Sequence, residues 1–161
     1  MFSPRILIIG VGNPLLTDDG IGHWVIDNLA GRFPDGYSLR KEVDLDLSDV
    51  EDMREFTLIF IIDAYDHGGE LASVVITRPG EHQPAAPNMI SAHGQHLYDI
   101  LGLGNRIYPD FPKHIYVIGI QVKDTFTWHE GFSAEIEPLL PVIRERVFET
   151  IESVTGGKPG P

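Results

Sequence analysis

The stretch Ile6-Leu7-Ile8-Ile9-Gly10-Val11-Gly12-Asn13-Pro14-Leu15-Leu16-Thr17-Asp18-Asp19-Gly20-Ile21-Gly22 decides how the chain reads. Four successive aliphatic residues show no inside–outside alternation. Such a run, stopped by glycines, is the pattern of a strand covered on both faces, as in parallel sheets. Beyond it, Ile21, Val25 and Leu29 recur at helical spacing, with Trp24 on an adjoining face. The pattern predicts a first strand, a glycine-bearing turn and a first helix over about Asp19–Ala30.

The same alternation continues outward. A second strand is expected around Ser38–Val43, then a short helix with Leu47, Val50 and Met53 on one side. Thr57-Leu58-Ile59-Phe60-Ile61-Ile62 is the most apolar run and predicts a central strand ending on Asp63. Ala72–Thr77 predicts another strand, and the proline-rich Arg78–Asn88 a loop. Leu97, Ile100 and Leu101 predict a helix after His93-Gly94, followed by a loop over Leu103–Pro112. His114–Ile120 reads as a strand and Gln121–Gly131 as irregular chain. Ile136, Leu140, Ile143, Val147, Ile151 and Val154 mark a long last helix whose start is blurred by Pro138 and Pro141. The expected fold is α/β, with three layers: a twisted, mainly parallel sheet of about five strands with helices on both faces. One domain is expected over residues 1–155, with 156–161 as a frayed tail.

Composition narrows the function. The 161 residues carry a net charge of −12, which disfavours nucleic acid and anionic membrane surfaces as partners. No apolar run approaches the roughly 20 residues that span a bilayer. Absence of a targeting signal makes the cytoplasm the expected compartment. The chain has no cysteine, so disulfides, thiolate catalysis and Cys-ligated metals are excluded. Any metal must meet carboxylate, imidazole, carbonyl or water.

In open α/β sheets, ligands gather beyond the carboxyl ends of the strands. That rule selects Asp18 and Asp19 after the first strand, Asp44 and Asp46 after the second, and Asp63 and Asp66 after the third. His93, just before a predicted helix, can face the same edge. Gly10-Val11-Gly12 lacks the third glycine of a dinucleotide fingerprint, since residue 15 is Leu, and no Gly-Lys-Ser/Thr follows it as in a phosphate-binding loop. Taken singly, the acids read as helix caps or turn residues and His93 as an ordinary histidine. Taken together, Asp19, Asp63 and His93 make a partial ligand set for a divalent transition metal, with positions left open.

The opening stretch resembles the signature of the nickel–iron hydrogenase maturation proteases, Gly-x-Gly-Asn-x-Leu-x-x-Asp-(Asp/Glu)-x-x-Gly. The likeness continues in Ile62-Asp63-Ala64, Ser91-Ala92-His93 and Ile118-Gly119-Ile120-Gln121. It implies a phosphorylase/hydrolase-like α/β fold and an endopeptidase that removes the C-terminal extension of a hydrogenase large subunit after nickel insertion. It places the metal-contacting positions on Asp19, Asp63 and His93. The nickel would be carried by the substrate, the large-subunit precursor, with no permanently bound cofactor, and a monomer is expected. One departure stands out: the family's Asp-Gly-Gly-Thr after the second strand is here Asp44-Leu45-Asp46-Leu47-Ser48. Asp44 keeps the acid and is a fourth candidate catalytic residue. The altered loop also leaves open a chaperone that docks the precursor without cutting it. A nucleoside phosphorylase or hydrolase is a weaker alternative, because nothing supplies a basic phosphate pocket.

Overall fold

The computed structural model describes residues 4–79 and 94–156. The aliphatic run forms β1 (Ile6–Val11), buried at every position. β2 (Tyr37–Glu42), β3 (Leu58–Tyr65), β4 (Val74–Thr77) and β5 (His114–Gln121) complete a five-stranded sheet in the order β2-β1-β3-β5-β4. All neighbours are parallel except β4, which runs antiparallel to β5 at one edge. The mainly parallel sheet expected from the apolar runs is therefore present.

Strand alternation divides the core. Ile6, Ile8, Phe60 and Ile62 pack with Ile21, Val25 and Leu29 of α1 (Ile21–Leu29) and Ile143, Val147 and Ile151 of α4 (Leu140–Thr155). Leu7, Ile9, Val11, Ile59 and Ile61 pack on the other face with Val50 and Met53 of α2 (Leu47–Met53) and Leu97 and Leu101 of α3 (Gly94–Ile107). These are the three expected layers.

The first helix lies directly on the sheet backbone. A Cβ on Gly22 would stand 2.6 Å from the Val11 carbonyl oxygen and 2.8 Å from that of Ile62. A side chain there would lift α1 off β1 and β3, and move the turn that precedes it.

Several boundaries differ from the sequence pattern, each for a packing reason. The first α-helix begins at Ile21, because Thr17–Gly20 forms a separate 3-10 turn that holds Asp19. β3 continues two residues past Asp63 to Tyr65, paired with β5 as far as Gln121. Leu47, expected on the buried side of α2, is 51% exposed. α3 runs through Leu103 to Ile107, where a loop was expected. A Cβ on Gly104 would come within 2.7 Å of Val50 and 2.8 Å of the Phe111 ring. That glycine lets α2 and the chain after α3 close on the helix. The prolines before α4 are absorbed in a 3-10 turn, Glu137–Leu139, and in the first turn of α4. Gly156, expected in the tail, is the left-handed C-cap of α4 with φ of 83°. The rest of that tail and most of the proline-rich loop lie outside the described residues.

Candidate active site

The strand order reverses direction between β1 and β3. From β1 the chain crosses to β2 on one side, and from β3 it goes on to β4 and β5 on the other. A crevice opens at such a switch point, at the carboxyl ends of the strands. Asp19, in the turn after β1, and Asp63, near the carboxyl end of β3, both lie at this edge.

Asp63 lies one residue beyond Ile62, the last β3 residue paired with β1, and opposite Gly119 of β5. Its place in the alternation, with Ile59 and Ile61, puts it on the α2 and α3 side of the sheet. It is 5% exposed, and Asp19 is fully buried.

The turn carrying Asp19 is tightly determined. The Asn13 N–H donates to the Asp19 Oδ2 at 2.8 Å. Gly12 has φ of 144°, and a Cβ there would run into the Asp19 carbonyl oxygen. Thr17 has φ of 53°, a costly conformation for a β-branched residue. It is held by its N–H to the His129 carbonyl at 3.0 Å and its hydroxyl to the Thr127 carbonyl at 2.7 Å.

The two acids of the pair do different work. The buried Asp18 carboxylate accepts from the backbone N–H groups of Lys123, Asp124 and Ser133 and from the Ser133 hydroxyl, at 3.1, 2.9, 2.7 and 2.8 Å. It is an anchor for the segment after β5. The Asp19 carboxylate is held instead within its own turn, by the Asn13 N–H.

Asp44 is also at this edge, beyond β2. Strand β1 separates it from β3, a lateral offset of about 10 Å for two strand spacings. Its side chain is 44% exposed, and its Oδ1 accepts from the Leu45 N–H at 2.9 Å. His96 approaches from the first turn of α3: its Nε2 donates to the Leu45 carbonyl at 2.9 Å and stands 3.9 Å from the Asp44 carboxylate. Sequence reading missed His96, although its place three residues after His93 on a helix start was the available signal. Asp46 is not a site residue. It caps α2, accepting from the N–H groups of Ser48 and Asp49, and its carboxyl is held below the usual range first by the Ser48 hydroxyl. Asp66 likewise closes a turn, accepting from the Gly68 N–H and from the buried Gln121 side chain.

His93, with Ser91 and Ala92, lies outside the described residues. The described chain resumes at Gly94, the start of α3, in the layer that Asp63 faces. Among the described residues, no group of three His, Asp or Glu side chains could hold a metal ion. The third member expected from the sequence, His93, is among the residues not described.

The acids around β2 also bear on stability. Burial pushes the Glu42 carboxyl above its ordinary range, Asp49 and Asp46 add to this, and Arg40 and His23 oppose it. A carboxyl whose folded pKa is raised favours folding below its unfolded pKa, and that contribution is lost as pH rises through the folded value. Glu42→Gln should therefore raise Tm at pH 7, with the gain vanishing toward about pH 4. Thermal melts at the two pH values check this, and an unchanged Tm at pH 7 would contradict it.

Comparison with known proteins agrees with the motif. The hydrogenase 2 maturation protease of Escherichia coli (strain K12) is 28% identical over 150 residues, covering 91% of this chain and 90% of that protein. The hydrogenase expression/formation protein HoxM of Azotobacter vinelandii is 28% identical over 156 residues, covering 92% of this chain and 75% of that protein. Among solved structures, the hydrogenase maturating endopeptidase HybD from E. coli superposes with a TM-score of 0.74 at 28% identity, covering 93% of both chains. No family model matches the sequence. The resemblance read from the glycine–aspartate motif thus extends over nearly the whole chain, in sequence and in fold.

Proposed function

We propose that this chain, a peptidase of the hydrogenase maturation kind like the relatives it resembles, removes the C-terminal extension of a nickel–iron hydrogenase large subunit once nickel is in place. The observation that carries the reading is the pair of buried carboxylates, Asp19 and Asp63, at the edge where the sheet has its switch point. Two acids buried at the carboxyl edge of an open α/β sheet, where ligands of such folds gather, suit a cationic ligand.

In this reading the cation is nickel carried by the substrate. Asp19, Asp63 and His93 offer oxygen and nitrogen donors that suit open positions on a transition metal. Because the chain has no cysteine, it offers no thiolate to pull the metal from the precursor. Asp19 and Asp63 bind and orient the nickel-bearing segment so that the scissile carbonyl sits in the crevice. A water oxygen then adds to the carbonyl carbon while its proton passes to a carboxylate, and the carbon–nitrogen bond breaks as that proton moves on to the leaving amine nitrogen. The metal supplies polarisation of the carbonyl or the water. Asp44 and His96 flank the crevice on the β2 side and contact the incoming chain.

Among the described residues, no helix is long and apolar enough to cross a membrane. The proposed place of action is the cytoplasm, with the enzyme a monomer.

Mass spectrometry of the precursor tests the reading. After incubation with the enzyme, nickel-loaded precursor should lose its C-terminal extension, and nickel-free precursor should keep it. Binding without any mass change would make the chain a chaperone. Equal cleavage of both forms would remove nickel from the recognition step.

A further inference from the structure

We infer that Leu15, Phe126 and Trp128 form an apolar docking face that grips the folded body of the precursor beside the crevice. The inference rests on the peptidase reading above and adds to it a second contact, away from the two acids. The three side chains are 49%, 60% and 74% exposed, among the most exposed large apolar residues of the described chain.

They belong to one rigid ledge. Leu16 and His129 form a parallel bridge, and the His129 N–H donates to the Leu15 carbonyl at 3.0 Å. Parallel register places Leu15 opposite Trp128. Phe126 sits two residues earlier, where the Asp124 carboxylate accepts from the N–H groups of Phe126 and Thr127, both at 2.9 Å. The buried Asp18 anchors the base of the same segment. Two aromatic rings held in water on so well-tied a loop are preorganised for contact, because little entropy remains to be lost when a partner covers them.

Position and charge name the partner. Thr17, bonded to the backbone of Thr127 and His129, lies two residues before Asp19, so the ledge borders the crevice. Loops of this edge carry Asp44, Asp46, Asp66, Asp124 and Glu130 against Lys123, on a chain of net charge −12. The fitting surface is an apolar patch ringed by lysine and arginine, on the precursor near the point where its extension begins.

The test uses full-length protein in an Asp63→Asn background, so that binding is read without turnover. Nickel-loaded precursor is titrated against Asp63→Asn and against Asp63→Asn/Trp128→Ser by calorimetry. The Kd should rise about 30-fold with Trp128→Ser, as for removal of an interface hot spot, and Trp128→Phe should recover most of it. Thermal melts should match the background, since the ring is exposed. Equal affinities, or no binding by either protein, would overturn the inference. A dimer of the parent that Trp128→Ser dissolves would also overturn it, by making the ledge a contact between copies. The mass of the precursor is read in parallel. If Asp63→Asn still cleaves, the proposed catalytic site fails, while the affinity comparison still judges the ledge.

Discussion

Asp63→Asn should slow cleavage of nickel-loaded precursor by about 100- to 10,000-fold, the range for losing a general base or a comparable positioned group. The substitution keeps shape and volume, and the amide occupies the same position between Ile62 and Ala64 in β3. It removes the negative charge, and with it the affinity for a cation and the ability to take a proton from water. The fold should survive, because the backbone pairing of Asp63 with Gly119 does not involve the side chain. Asp44→Asn is the contrasting variant. Its carboxylate is solvent-exposed and bonded to its own loop, so it should change the rate by less than about tenfold. Quenched-time mass spectrometry of the precursor gives both rates. Cleavage by Asp63→Asn within tenfold of the parent would remove Asp63 from the chemistry.

Asp18→Ala should instead destabilise the protein by about 3–5 kcal/mol, as when one partner of a buried charged network is removed. Four donors from Lys123, Asp124 and Ser133 would lose their acceptor in a buried place. For a chain of this size, Tm should fall by roughly 10 °C or more. The segment it anchors also holds Thr17 in its left-handed conformation, so the Asp19 turn should loosen with it. Asp18→Asn keeps the volume but turns an NH2 toward N–H donors, and should recover only part of the loss. A Tm within about 2 °C of the parent for Asp18→Ala would show that the anchor is dispensable. Adjacent acids of identical chemistry are thus expected to fail in different assays, Asp18 in stability and Asp19 in cleavage.

Much of the fold was legible because it follows from one-dimensional patterns. Unbroken aliphatic runs mean strands covered on both faces, and these gave β1, β3 and β5. Helical spacing gave α1 and α4. Errors fell where a residue has a meaning that depends on what packs against it. Leu103–Ile107 reads as loop until Phe111 and Val50 are seen to close on Gly104 and make it part of α3. Leu47 looks like core until the chain's path leaves it in water at 51% exposure. Trp128 and Phe126 fall in a segment that reads only as irregular chain, because nothing local distinguishes a displayed aromatic from a buried one.

The sequence by itself determined the layered α/β architecture and the absence of thiol chemistry, and through its resemblance to a family it nominated Asp19, Asp63 and His93 as candidates. Those are properties of residue type and spacing, which survive without coordinates. Only the tertiary structure decided that Asp18 is an anchor, that Asp66 accepts from Gln121, and that His96 reaches the Asp44 loop. These depend on contacts between residues 50 or more positions apart in most cases, such as Asp18 with Ser133, separated by 115. Whether a carboxylate fastens a distant segment is set by which donors the fold brings to it, and that is settled only when strands distant in the chain become neighbours in the sheet.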